Sequence, residues 1–156
     1  MSKVTIDGLE DLRARAGKPL GQSEWKTMEM AQVKTFADAT GDHQWIHVDE
    51  ERARRESPFK RPIAHGYLSL SLTAGAFFEV VELRGFDLVV NYGSNKVRFP
   101  APLGVGDRYR VAFALGEVKD VGNGFTEAIF GVTVEIEGQS KPACVAEVVH
   151  RLKAGG

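Results

Sequence analysis

Residues Tyr67 to Leu83 form a helix-length run with no charge until Glu79. Leu68, Leu70, Leu72, Ala74, Ala76, Phe77, Phe78, Val80 and Val81 fall on every side of a helical projection. A helix without a polar face has to be enclosed by other protein. Gly66 and Gly85 punctuate its ends. What encloses it is legible further on, where the period of the apolar positions drops to two. Tyr109, Val111, Phe113 and Leu115 alternate with Arg108, Arg110, Ala112 and Ala114. Ala128, Phe130, Val132, Val134 and Ile136 repeat the pattern, as do Cys144, Ala146, Val148, His150 and Leu152. Period two puts each apolar set on one face of a strand. Asn123-Gly124 and Glu137-Gly138 accept the positive φ that tight hairpin turns require. Val89 to Phe99 is a further strand, closed by Pro100 and Pro102. The economical arrangement is α+β: a long, curved antiparallel sheet wrapped around a buried central helix. Such a sheet keeps an unpaired edge, and pairing of two copies into a homodimer is the natural remedy.

Upstream, Ile6 to Ala16 is expected to be helical, stopped by Gly17 and Pro19. Ser23 to Met28 reads as a short strand. Met30 to Ala39 reads as a helix, with Gly41 where a left-handed cap belongs. Asp42 to His47 follows as an irregular turn. Asp49 then caps a short helix, Glu50 to Glu56, which ends at Ser57-Pro58. The 156 residues suffice for one domain, 1–156, with its core at about 23–152. A net charge of −1 argues against nucleic acid as a partner, because phosphate neutralisation needs a basic surface. The lone Cys144 excludes an intrachain disulfide and any multi-cysteine metal site, and on a strand it is most simply a small core residue. Residues Met1 to Gly8 lack the apolar segment of a signal peptide. No apolar run approaches the roughly 20 residues of a membrane helix. The expectation is a cytoplasmic protein with no membrane partner.

Two segments carry chemistry. In Phe36 to His47, a carboxylate, Asp42, and an imidazole, His47, lie five positions apart just after Gly41. A regular helix would put them on different faces. A turn can aim both into one cleft, as an acid–base pair sharing a water requires. Spacing alone is explained more simply by an aspartate capping a turn and a packed histidine. In Pro62 to Ser71, Gly66 opens the central helix, where free N–H groups favour an anion or a developing oxyanion. The simpler explanation there is a tight turn.

Taken together the segments are more specific. Thr40-Gly41-Asp42-His43-Gln44-Trp45-Ile46-His47, then Ile63-Ala64-His65-Gly66, then Asn91-Tyr92-Gly93-Ser94-Asn95-Lys96-Val97-Arg98-Phe99-Pro100-Ala101-Pro102 resemble the MaoC-like, hydratase 2 family over about Ser23 to Leu152. The resemblance implies a hot-dog fold and R-specific hydration of trans-2-enoyl-CoA to (R)-3-hydroxyacyl-CoA. It puts the family's catalytic aspartate on Asp42, its histidine on His47 and its oxyanion-binding N–H on Gly66. Gln44, Trp45, His65, Ser71, Gly93, Asn95, Lys96 and Arg98 become the expected substrate contacts. Many members carry Asn-Pro where this chain has Gln44-Trp45. The Gln44 amide can still hold the loop or the water, and Trp45 can wall the pocket.

No metal or redox cofactor is called for; acyl-CoA is the substrate. A metal held by His43, His47 and His65 is a weaker reading, since Gly41 breaks helical continuity. Ser69 and Ser71 lie one turn into the central helix, where a hydroxyl either meets substrate or bonds back to a helix carbonyl. Arg52, Arg54, Arg55, Lys60 and Arg61 are either a coenzyme A phosphate patch or, more simply, a solvated helix face. Strand alternation sends Lys96 and Arg98 to one face and Asn95 to the other. Phe77, Phe78, Leu83 and Phe86 are the candidates for setting tunnel depth. A hot-dog thioesterase and a non-catalytic acyl-binding or partner subunit are the competing functions.

Overall fold

A computed structural model describes residues 2–156. In chain order the elements are β1 (Val4–Asp7), α1 (Gly8–Ala14), β2 (Pro19–Gln22), β3 (Lys26–Thr27), α2 (Met30–Thr40), α3 (Trp45–Val48) and α4 (Glu50–Glu56). They continue with α5 (Gly66–Val80), β4 (Val81–Arg84), β5 (Phe86–Arg98), β6 (Arg108–Gly122), β7 (Phe125–Ile136) and β8 (Cys144–Ala154). The main sheet runs β2-β6-β7-β8-β5, with β3 also on β6. All its pairings are antiparallel. This is the α+β hot-dog arrangement, a long antiparallel sheet with α5 packed against it.

The alternation on β6, β7 and β8 translates directly into burial. Tyr109, Val111, Phe113, Leu115, Ala128, Phe130, Val132, Val134, Ile136, Cys144, Ala146, Val148 and Leu152 are all in the core. Phe77 of α5 packs edge-on against Phe113 and Phe130, with ring centroids 5.7 and 4.9 Å apart. That contact seats the helix on the sheet. Asn123 (φ 55°) and Gly124 (φ 78°) form the β6–β7 turn in the left-handed region, as their dipeptide predicts. Burial pushes the Cys144 thiol up to about 11, which keeps it an unreactive core residue.

Four expectations need correction. The expected helix Ile6–Ala16 begins only at Gly8. Ile6 is fully buried in β1, in register with Leu83 in a parallel pairing to β4. Gly8, at φ 78°, makes the turn into α1. The strand expected at Ser23–Met28 shrinks to Lys26–Thr27. The helix expected to reach Leu83 ends at Val80, because Val81 to Leu83 are drawn into β4. Finally, α5 is not enclosed on every side. Leu68, Ser69, Thr73, Ala76, Phe77 and Val80 are buried, while Tyr67 and Phe78 are exposed on its open face. No helix among the described residues is long and apolar enough to cross a membrane.

Candidate active site

Helix α2 ends at Gly41, whose left-handed backbone (φ 81°) turns the chain and delivers Asp42. The Asp42 carboxylate is half-exposed, and its Oδ1 accepts the Gln44 N–H at 3.3 Å. Gln44 then caps the single turn α3, a helical turn inside the segment expected to be irregular. That turn carries His47 into a buried position. His47 Nδ1 lies 2.6 Å from the Ile63 carbonyl oxygen. A carbonyl only accepts, so Nδ1 carries the proton and the Nε2 lone pair is free.

His65, the N-cap of α5, is buried beneath this turn. By the same argument its Nε2 donates to the Asp42 backbone carbonyl at 2.9 Å, and its buried Nδ1 has no partner. The His47 and His65 rings stack at 3.8 Å with 22° between planes, and Phe36 flanks His65 at 5.0 Å. Burial holds the His47 imidazole below its ordinary value. The Ile63 carbonyl opposes this, the neighbouring His65 adds to it, and the Asp42 charge opposes it. His47 is therefore uncharged at neutral pH.

A carboxylate oxygen of Asp42 and ring nitrogens of His47 and His65 lie within 4.8 Å of one another. No direct hydrogen bond joins Asp42 to His47. One water, making two hydrogen bonds of about 2.8 Å at a tetrahedral angle, spans about 4.6 Å. The pair can therefore hold a shared water, each accepting one of its protons. His47 Nδ1 and His65 Nε2 are taken up by backbone carbonyls, so each ring has one nitrogen left. His43 turns away and pairs with Asp38 at 2.9 Å, so the trio His43, His47 and His65 does not assemble.

Gly66 is the first residue of α5, and no side chain caps the helix. Its first-turn N–H groups have no acceptor within their own helix. The space beside its α-carbon is taken up by another side chain. A Cβ would meet the Phe99 ring at 3.0 Å. Gly66→Ala is thus expected to push the half-exposed Phe99 ring aside, at a cost of about 1 kcal/mol, the low end for overpacking, and to slow turnover by displacing the helix start. Thermal unfolding in a Phe99→Ala background checks this. The alanine should cost clearly less there, and an unchanged cost would remove Phe99 as the cause.

The remaining sequence candidates are dispersed. Trp45 is half-buried, with the Arg52 guanidinium 4.3 Å over its ring. Ser71 Oγ donates back to the Tyr67 carbonyl at 2.6 Å, the helix-carbonyl alternative weighed above. Gly93, Asn95, Lys96 and Arg98 lie along β5 and make no hydrogen bond or ion pair with Asp42 or His47. Strict alternation fails for them, since the β5–β8 register shifts between Asn95 and Arg98 and Lys96 adopts φ 52°. Lys96 pairs instead with Glu147 at 3.2 Å, and Arg98 donates to the Val97 carbonyl. Arg52 and Arg55 spend their charge on Glu56 and Glu51 of α4, and Arg61 grips Asp107 with two bonds of 2.7 and 2.8 Å. Ile63 and Phe99 were not foreseen. Ile63 acts through its backbone carbonyl, which leaves no trace in residue type.

Residues 11–136 match the MaoC like domain. The chain is 50% identical over 150 residues to 3-hydroxyacyl-thioester dehydratase Z of Mycobacterium tuberculosis, covering 96% of this chain and 99% of that one. Among solved structures, the MaoC-like dehydratase of Rhodospirillum rubrum superposes with a TM-score of 0.71 at 19% identity, over 90% of this chain and 94% of that one. An (R)-hydratase from A. caviae involved in PHA biosynthesis gives 0.66 at 22% identity, over 84% and 94%. The two structures share the fold, and the family rests on the domain match and on the 50% relative. The chain is an enzyme of the MaoC-like dehydratase family.

Proposed function

We propose that this enzyme interconverts trans-2-enoyl-CoA and (R)-3-hydroxyacyl-CoA by adding or removing one water. Dehydration of a 3-hydroxyacyl thioester, the activity in the name of the mycobacterial relative, and hydration of the enoyl thioester are two directions of one equilibrium. The observation that carries the reading is the Asp42 carboxylate and a His47 fixed as its Nδ1–H tautomer, their polar atoms within 4.8 Å.

In the hydration direction, ionised Asp42 and His47 Nε2 each accept a proton of the same water, so its oxygen lone pair points at the β-carbon. As the C–O bond forms, one of them takes the proton. It returns that proton to the α-carbon as the enolate-like state collapses. The N–H of Gly66 holds the thioester oxygen while negative charge builds there, a kind of contact worth about 10²–10³ in rate. His65 positions both partners, since it holds the Asp42 backbone and stacks on His47. The scheme draws only on these groups and the acyl-CoA.

Crotonyl-CoA tests it. Loss of the conjugated enoyl absorbance without release of free thiol is the expected result. Thiol release would mean thioester cleavage, and binding without turnover would mean a non-catalytic subunit. The same assay reads the histidine. His47 must be uncharged to keep Nε2 as an acceptor, and its proton affinity is lowered. We expect kcat/KM to stay flat from neutral pH downward and to fall only below the ordinary imidazole value of 6.5. An acid limb at or above 6.5 would reject that role.

The open face of α5 and the edge strand β5 expose Tyr67, Phe78, Leu88, Val90 and Tyr92. An apolar helix face beside an unpaired strand edge supports a homodimer joined there. The reading includes a cytoplasmic location.

A further inference from the structure

A cavity of about 150 Å³ lies between α5 and the sheet, separate from the Asp42–His47 pair. It begins at Leu70 and Ser71, one turn beyond Gly66, and runs along the helix to Thr73 and Phe77. Phe130 and Phe77 give it apolar walls. Its polar residues come from three elements: His150 on β8, Asn91 and Ser94 on β5, and Ser71 and Thr73 on α5.

His150 is the unusual member. It is 9% exposed, and its Nδ1 has no hydrogen-bond partner. Its ring sits 5.2 Å from both Phe77 and Phe130. Burial pushes the imidazole below its ordinary value, so the ring is neutral and offers a hydrogen bond rather than an ion pair. Asn91 stands directly opposite His150 in the β5–β8 register, which puts both side chains on one face. Thr73 Oγ1 donates to the Leu70 carbonyl at 2.7 Å, which leaves its oxygen lone pairs as acceptors. A core position on this strand would be better filled by leucine if only packing mattered, because an unpaired buried polar group is costly.

We propose that this cavity receives the tail of the acyl chain, and that His150, with Asn91 opposite, favours tails carrying a neutral oxygen, a hydroxyl or a ketone, over plain alkyl tails. The inference rests on the hydration reading. Length and volume set the position of that oxygen. Thr73 lies seven residues along α5 from Gly66, about 10 Å. With the thioester carbonyl at Gly66, an oxygen near the eighth carbon reaches the polar wall. The cavity opens beside the exposed Ser71, Asn91 and Ser94, and its volume suits the last few carbons of such a chain.

The test compares kcat/KM for 8-hydroxy-trans-2-octenoyl-CoA and trans-2-octenoyl-CoA. The wild-type enzyme should favour the hydroxylated chain by about 3- to 10-fold, the factor one net hydrogen bond supplies. His150→Leu should reverse the preference, and His150→Gln, which keeps a donor and an acceptor, should retain most of it. Crotonyl-CoA ends short of the cavity, so its rate serves to normalise each variant for loss of active enzyme. A wild-type preference for the plain chain overturns the proposal, whether or not the variants fold. So does a ratio that His150→Leu leaves alone. Failure of wild-type enzyme on crotonyl-CoA would sink the hydration reading itself, a separate result.

Discussion

Asp42→Asn is expected to slow hydration of crotonyl-CoA by about 10²–10⁴-fold, while stability changes by no more than about 0.5 kcal/mol. The two halves of that expectation have one origin. The carboxylate is half-exposed; its Oδ1 accepts the Gln44 N–H at 3.3 Å, which asparagine can still do, and its Oδ2 lies 4.0 Å from His65 Nε2, beyond hydrogen-bond reach. Almost nothing structural depends on the charge, so its value lies in the proton it takes from water. The loss should therefore appear in kcat with KM little changed, as for an interaction made only in the transition state. Comparable rates for the two proteins would remove Asp42 from the reaction.

His47→Ala should lose activity on the same scale, about 10²–10⁴-fold, and also lose stability. It leaves the Ile63 carbonyl without its 2.6 Å donor in a buried setting, at a cost of about 1–3 kcal/mol. It also uncovers the face of His65 on which the ring stacks. The double variant is the more informative measurement. If Asp42 and His47 hold one water between them, either loss releases it, and the double variant should be scarcely slower than the worse single one. Multiplicative losses would mean that the two side chains act in separate steps.

The candidate pair was legible only through the three ordered segments that resemble the family, because its own spacing is explained more simply by a capped turn and a packed histidine. Its support was not. His47 is held by the carbonyl of Ile63, and Gly66 is pressed by the ring of Phe99. The first contact is blind to residue type, and the second joins positions 33 apart. The fold divides in the same way. Strands β6, β7 and β8 read clearly because each has one buried face, so period two survives in the residues. Strand β5 was expected over Val89–Phe99 and spans Phe86–Arg98; its first three residues and the facing of its side chains were not legible, since both its faces are largely exposed in the single chain and three register shifts interrupt it. The short β1 and β2 have four residues each and are defined by partners far along the chain, Val81–Arg84 and Phe113. Nothing local distinguishes them. The exposed Tyr67 and Phe78 on α5 show that this chain alone does not supply all the protein that a helix without a polar face calls for.

The loops that carry Asp42, His47 and Gly66 are tied across their base. Ile63 N–H donates to the Ile46 carbonyl at 3.1 Å, His47 Nδ1 to the Ile63 carbonyl, and His65 Nε2 to the Asp42 carbonyl. Everything from 48 to 62, including α4, is a detour whose two ends are stapled together. Closing such a detour differently costs little, because loop entropy grows only slowly with length. Lengthening this stretch, or recoding its exposed α4 positions such as Glu51, Arg54 and Arg55, should leave the chemistry in place, while the buried Ala53 and Ser57 and the Arg61–Asp107 pair keep it anchored.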